Sequence, residues 1–136
     1  MRIAVISVPA RRKEIPEYIK SLARGMESAG HRVDILDAWT EDGLGLPGYE
    51  YIAVCAEPVS FWGAKLPDLL PKILGRTSGL AGKKSAAFLK KTGPFFMNKA
   101  LGNIMRAMEK EGMLVNWSEI LLNASHAQAL GKRIGA

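Results

Sequence analysis

Tyr49–Pro71 reads YEYIAVCAEPVSFWGAKLPDLLP, and the fold turns on how this stretch divides. Tyr51 to Ala56 is an unbroken apolar run. A run of about four to eight apolar residues between turn signals predicts a strand buried on both faces. Glu57-Pro58 ends it, because proline has no backbone N–H to offer a ladder. Val59-Ser60-Phe61-Trp62-Gly63 follows as a loop with two adjacent aromatics and a glycine. A helix then runs over about Leu66 to Leu74, with Pro67 near its start, where a fixed φ is tolerated. Ligands of open α/β sheets bind outside the carboxyl ends of the strands. The aromatic loop is therefore a candidate ligand wall; with equal weight, Phe61 and Trp62 serve as a lid on the core.

Upstream, Arg2 to Val8 (RIAVISV) repeats the buried-strand pattern and Pro9 ends it. Ala10-Arg11-Arg12-Lys13 turns into a helix over about Ile15 to Ala29. Its residues Ile15, Ile19, Leu22, Ala23 and Met26 recur at three- and four-residue steps and make one buried stripe. Gly30 is the expected left-handed stop. Arg32 to Asp37 reads as a short strand, which completes a right-handed βαβ unit. Trp39 to Gly48 (WTEDGLGLPG) is too rich in glycine and polar residues for a full helix, so this crossover is expected to be abbreviated.

Downstream, Ser78 to Lys84 is a connector and Ser85 to Leu89 a fourth strand. Lys90 to Phe96 is another loop at a strand's carboxyl end. A helix is expected over Asn98 to Glu111, with Leu101, Ile104, Met105 and Met108 on one face and Gly112 as its stop. Met113 to Leu122 holds a fifth strand that includes Trp117. Ser125 is the expected N-cap of a last helix over His126 to Ile134. Strands alternating with helices predict a doubly wound α/β sandwich. A five-stranded parallel sheet of this kind most often takes the order 2-1-3-4-5.

The chain has 136 residues, 48% hydrophobic and 24% charged, which suits a single domain over 1–136 with a real core. No apolar run approaches the ~18–20 residues of a membrane span. The opening residues do not have the form of a signal peptide. The one cysteine, Cys55, falls inside an expected central strand and cannot form an internal disulfide, which favours an inert thiol and a cytoplasmic setting. Nineteen basic residues against 13 acidic ones, net +6, favour an anionic ligand or partner. No zinc-finger spacing or RNA-recognition pattern points to nucleic acid.

The expected strand order puts the loops after strands 1, 3 and 4 side by side. The first brings Arg11, Arg12 and Lys13 at a helix N-terminus, whose N–H groups and dipole attract anions. The second brings aromatics, and the third brings Thr92, Gly93, Phe95 and Phe96. A phosphate beside the arginines and a flat ring between the aromatic loops make this a site for a small phosphorylated aromatic ligand. The alternative for Arg11-Arg12-Lys13 is a solvated charge run.

The element order over nearly the whole chain resembles the flavodoxin-like family. The best local match is YEYIAVCAEPVSFWGAKLPDLLPKIL, followed by LAGKKSAAFLKKTGP and LGNIMRAMEKEGMLV. The resemblance implies FMN as cofactor, and electron transfer or quinone-type reduction as activity. Together with the three loops it gives a candidate cofactor site drawn from Ser7, Ala10, Arg11, Arg12 and Lys13, from Pro58, Ser60, Phe61, Trp62 and Gly63, and from Thr92, Gly93 and Phe95. By position Trp62 flanks the isoalloxazine, and the backbone at Ser60, Gly63 and Gly93 approaches the ring. It also admits a redox partner protein; oligomeric state is open, a dimer included. The first loop, SVPARRKEIP, departs from the family's hydroxyl- and glycine-rich phosphate cradle, and the chain is basic where electron-carrying flavodoxins are typically acidic. A flavin-free binding or regulatory domain on the same fold is the alternative.

Other chemistry has no motif to carry it. There is no Walker-type or GxGxxG phosphate loop and no G-x-S-x-G elbow. His31 and His126 have no neighbouring partner in sequence. A phospho-acceptor domain of this fold would need an acidic pair after strand 1 and an aspartate ending strand 3, where this chain has Pro9-Ala10 and Glu57-Pro58. No catalytic side chain is expected.

Overall fold

The computed structural model describes residues 1–60 and 63–134. The expected strands form at β1 (Arg2–Val8), β2 (Arg32–Asp37), β3 (Tyr51–Ala56), β4 (Lys84–Lys90) and β5 (Leu114–Leu121). They make one sheet in the order β2-β1-β3-β4-β5, and every neighbouring pair is parallel. Helices α1 (Glu17–Ser28), α2 (Leu69–Gly75), α3 (Met97–Lys110) and α4 (Ala124–Gly131) cover its two faces.

Side-chain alternation along β3 divides the interior into two cores. Ile52, Val54 and Ala56 face the layer with α2 and α3, packed with Leu70, Ile73, Leu74, Ile104 and Met108. Tyr51, Ala53 and Cys55 face the layer with α1 and α4, packed with Ile19, Leu22, Met26, Phe88 and Leu130. The two faces are equally apolar because both are covered, as parallel sheets require. The α1 stripe is buried as its spacing predicts at Ile19, Leu22, Ala23 and Met26, while Ile15 lies before the helix and packs at the core's margin.

The α1 and α4 helices cross at two glycines. A Cβ on Gly25 would lie 2.1 Å from the Gln128 carbonyl oxygen, and one on Gly131 would lie 2.3 Å from that of Leu22. Backbones meet here with no room for a side chain.

The crossover from β2 to β3 carries no helix, as its composition predicts. It buries Leu44 and Leu46 and is held by backbone pairing to Ser78, which donates to the Leu44 carbonyl and accepts from the Leu46 N–H. Helix boundaries differ from expectation in several places: α1 begins at Glu17, after Pro16, and not near Ile15. Helix α2 begins at Leu69, two residues after Pro67, and includes Gly75. Helix α4 begins earlier than expected, capped by Asn123 and not Ser125; the Asn123 side chain accepts from the His126 N–H. Asparagine is as strong a cap as serine, and it falls two residues after the strand. Helix α3 starts at Met97, and the residue before it, Phe96, takes a left-handed φ of 63°.

Candidate functional site at the carboxyl edge of the sheet

Glu57 follows β3 directly and sits on the same side of the sheet as Cys55, facing α1. Its N–H still bonds the Val8 carbonyl (3.2 Å), so the ladder carries it one residue past the strand. The side chain lands under the loop after β1 and is 5% exposed. Its carboxylate accepts from the Ala10 N–H (3.0 Å), from Lys13 Nζ (2.8 and 3.1 Å) and from the Tyr18 hydroxyl (3.0 Å). Burial pushes the Glu57 carboxyl up, but the bonds from Lys13, Ala10 and Tyr18 together outweigh it and hold the group below the usual carboxylate range. The Tyr18 hydroxyl is pushed strongly upward by burial and then by the Glu57 charge, so it stays a donor. Lys90, at the end of β4, places its ammonium 5.7 Å from the centre of the Tyr18 ring.

The structure thus distributes the first loop's cations unequally. Lys13 is committed to Glu57. Arg11 and Arg12 are exposed, and neither forms an ion pair among the described residues. Ser7, the loop's one hydroxyl, is fully buried, and its Oγ has no hydrogen-bond partner among the described residues.

The first and second loops meet. Ala10 and Val59 line one depression of about 280 Å³ with Trp39, Pro67, Asp68, Leu69 and Lys72. Trp39 enters from the β2–β3 crossover, with its Nε1–H donating to the Pro9 carbonyl (3.0 Å). Pro58 is buried, while Val59 and Ser60 are exposed. The second loop closes on itself through the Val59 N–H and the Lys65 carbonyl (2.9 Å). Among the described residues, a Cβ on Gly63 would meet nothing closer than 3.7 Å. Phe61 and Trp62, expected to flank a ring, lie outside the described residues.

The third loop opens toward β5. Gly93 is buried, while Thr92, Phe95 and Phe96 are exposed. The rings of Phe95 and Phe96 lie 6.3 Å apart. Phe96 lines a cavity of about 450 Å³ with Lys91, Pro94, Met97, Ile120 and Leu122. Its left-handed backbone costs roughly 1–2 kcal/mol for a residue with a Cβ and brings a half-exposed aromatic to the edge. No Asp or Glu falls between Lys90 and Met108, so this side of the mouth is apolar and cationic.

The remaining candidates are structural. His31 joins the chain ends, its Nδ1 3.0 Å from the terminal amine and its Nε2 2.7 Å from the Ile134 carbonyl oxygen. His126 Nδ1 accepts from the Leu122 N–H (3.1 Å). Cys55 is fully buried and its thiol is pushed up by that burial. Among the described residues no cluster of three metal-ligating side chains forms, and no helix is long and apolar enough to cross a membrane. Sequence reading missed Glu57 and Tyr18 as a pair and Trp39 altogether. The one available signal was a glutamate directly after an apolar strand.

Solved structures of this shape include flavodoxins and a quinone oxidoreductase. A flavodoxin from the domain Archaea superposes with a TM-score of 0.71 at 18% identity, over 98% of this chain and 96% of that one. Oxidised flavodoxin 1 from Bacillus cereus matches with 0.69 at 16%, over 96% and 95%. An NAD(P)H:quinone oxidoreductase from Methanothermobacter marburgensis matches with 0.68 at 16%, over 98% of both chains. No family model and no curated protein matches the chain. The fold is flavodoxin-like.

Proposed function

We propose that this chain binds a flavin, FMN, at the carboxyl edge of its sheet and serves electron transfer or flavin-dependent reduction. The observation that carries this reading is the convergence of the β1 and β3 loops at that edge, with two uncommitted guanidiniums beside it. The fold shared with flavodoxins and a quinone oxidoreductase supports it by analogy.

The donor set fits a flavin held in a particular way. Arg11 and Arg12 offer planar paired donors to phosphate oxygens and stay charged at any working pH. Gly63 carries no side chain to bar a ring from the second loop's backbone, and the reading draws on Pro58 and Ser60 from that loop and on Thr92, Gly93 and Phe95 from the third, which lines its own cavity toward β5. Lys13 supports the loop through Glu57 and does not reach for the ligand. A bound flavin supplies the redox chemistry; the chain's residues position it and set the charge around it. A redox partner would be acidic, matching Lys91 beside the exposed Phe96. A cytoplasmic setting accords with the single buried thiol of Cys55.

A second reading, a flavin-free binding domain, is favoured by one observation: Glu57 already holds first-loop donors. Visible absorbance after FMN addition and gel filtration separates the two. The flavin reading expects a yellow protein whose Tm rises with FMN concentration, as ligand linkage requires. A colourless protein whose Tm ignores saturating FMN establishes the second reading.

A further inference from the structure

We propose that Glu57 is the resident anion of the first loop and decides which flavin the mouth prefers. This rests on the flavin reading above. The first loop runs ahead of α1, which begins only at Glu17, and a loop that turns a backbone N–H and a lysine toward one point is an anion site in its own right. Here the chain fills it with its own carboxylate. The Ala10 N–H and both close approaches of Lys13 Nζ go to Glu57, and Tyr18 fixes the carboxylate from below. A ligand phosphate arriving at this loop meets a negative charge where the donors should be. Of the loop's cationic side chains, only those of Arg11 and Arg12, exposed and screened, are left to hold it. The phosphate therefore contributes little, and the mouth discriminates weakly between FMN and riboflavin.

Glu57→Gln tests this directly. The amide keeps the shape and an acceptor for the Ala10 N–H, removes the negative charge and releases Lys13. Dissociation constants for FMN and riboflavin are measured by fluorescence quenching for both proteins at low and high salt. In the unchanged protein FMN should bind only about tenfold tighter than riboflavin, the effect of roughly one exposed charge-assisted contact. That advantage should vanish at about 1 M salt, where the Debye length is near 3 Å. In Glu57→Gln, FMN affinity should rise about tenfold or more while riboflavin stays within about twofold. A purely structural glutamate would change both flavins alike, and that result overturns the proposal. So does an unchanged protein that already prefers FMN by about a thousandfold, a measurement independent of how the variant folds. If neither flavin binds either protein, the flavin reading fails, and inorganic phosphate is the probe for Glu57. Backbone amide shifts of residues 10–13 should then respond to phosphate in Glu57→Gln and not in the unchanged protein; equal responses overturn the proposal.

Discussion

Lys13→Met removes the charge that faces Glu57 and keeps the length of the side chain. Leaving one member of a buried ion pair alone costs about 3–5 kcal/mol. The Lys13 side chain is 39% exposed against 7% for Glu57, so solvent already weakens the pair, and the Ala10 and Tyr18 bonds survive the change. The expected loss is about 1–3 kcal/mol near neutral pH. Its pH dependence is the sharper part. In the unchanged protein the Glu57 carboxyl is held below its unfolded value, so its stabilisation is full above about pH 4.3 and is lost as pH falls through the folded value. In Lys13→Met the largest opposing influence is gone, burial dominates, and the carboxyl should titrate above its unfolded value. The variant then gains stability as pH falls from that raised value toward about 4.3. The gap between the two proteins should narrow steadily with acidification. Urea melts of both proteins at about pH 7 and about pH 4 measure it. A penalty below about 0.5 kcal/mol near neutrality, or one equal at both pH values, refutes the buried-hub description of Glu57.

Replacing Arg11 and Arg12 together with alanine should weaken FMN about tenfold and bring it level with riboflavin, whose own affinity stays unchanged; calorimetry with both flavins measures it, and an unaltered FMN affinity reduces the arginines to a solvated charge run. Gly25→Ala should destabilise by about 1–3 kcal/mol or more, because its Cβ would lie 2.1 Å from the Gln128 carbonyl oxygen; a thermal melt at the parental Tm would show that α1 and α4 separate at no cost.

The sheet was legible because its signals are local. The apolar runs at Arg2–Val8 and Tyr51–Ala56, broken by Pro9 and Pro58, are strands in the structure. Gly30 and Gly112 adopt the left-handed φ expected of helix stops. The strand order followed from the alternation of strands and helices, a rule about connections rather than contacts. What escaped is long-range. Glu57 and Lys13 are 44 positions apart, and no periodicity reports that a glutamate after one strand reaches a lysine after another. Read alone, Arg11-Arg12-Lys13 is one basic run; in space its third member belongs to the fold and its first two to the surface. Trp39 fell in a stretch whose glycines correctly announced an irregular crossover, which hid the fact that it reaches back to the Pro9 carbonyl. The α4 cap at Asn123 was misassigned because Ser125 is an equally good cap two residues later, and only the end of β5 decides between them.

The central claim is that flavin binds at the carboxyl edge of the sheet, at the loops after β1, β3 and β4. Titrating FMN into isotope-labelled protein and following backbone amide shifts tests it most directly. The largest shifts should fall within residues 10–13, 58–63 and 92–97. Shifts concentrated instead around the cavity at the opposite edge, lined by Met1, Tyr51, Lys84, Trp117 and Arg133, or no shifts at saturating FMN, would contradict it.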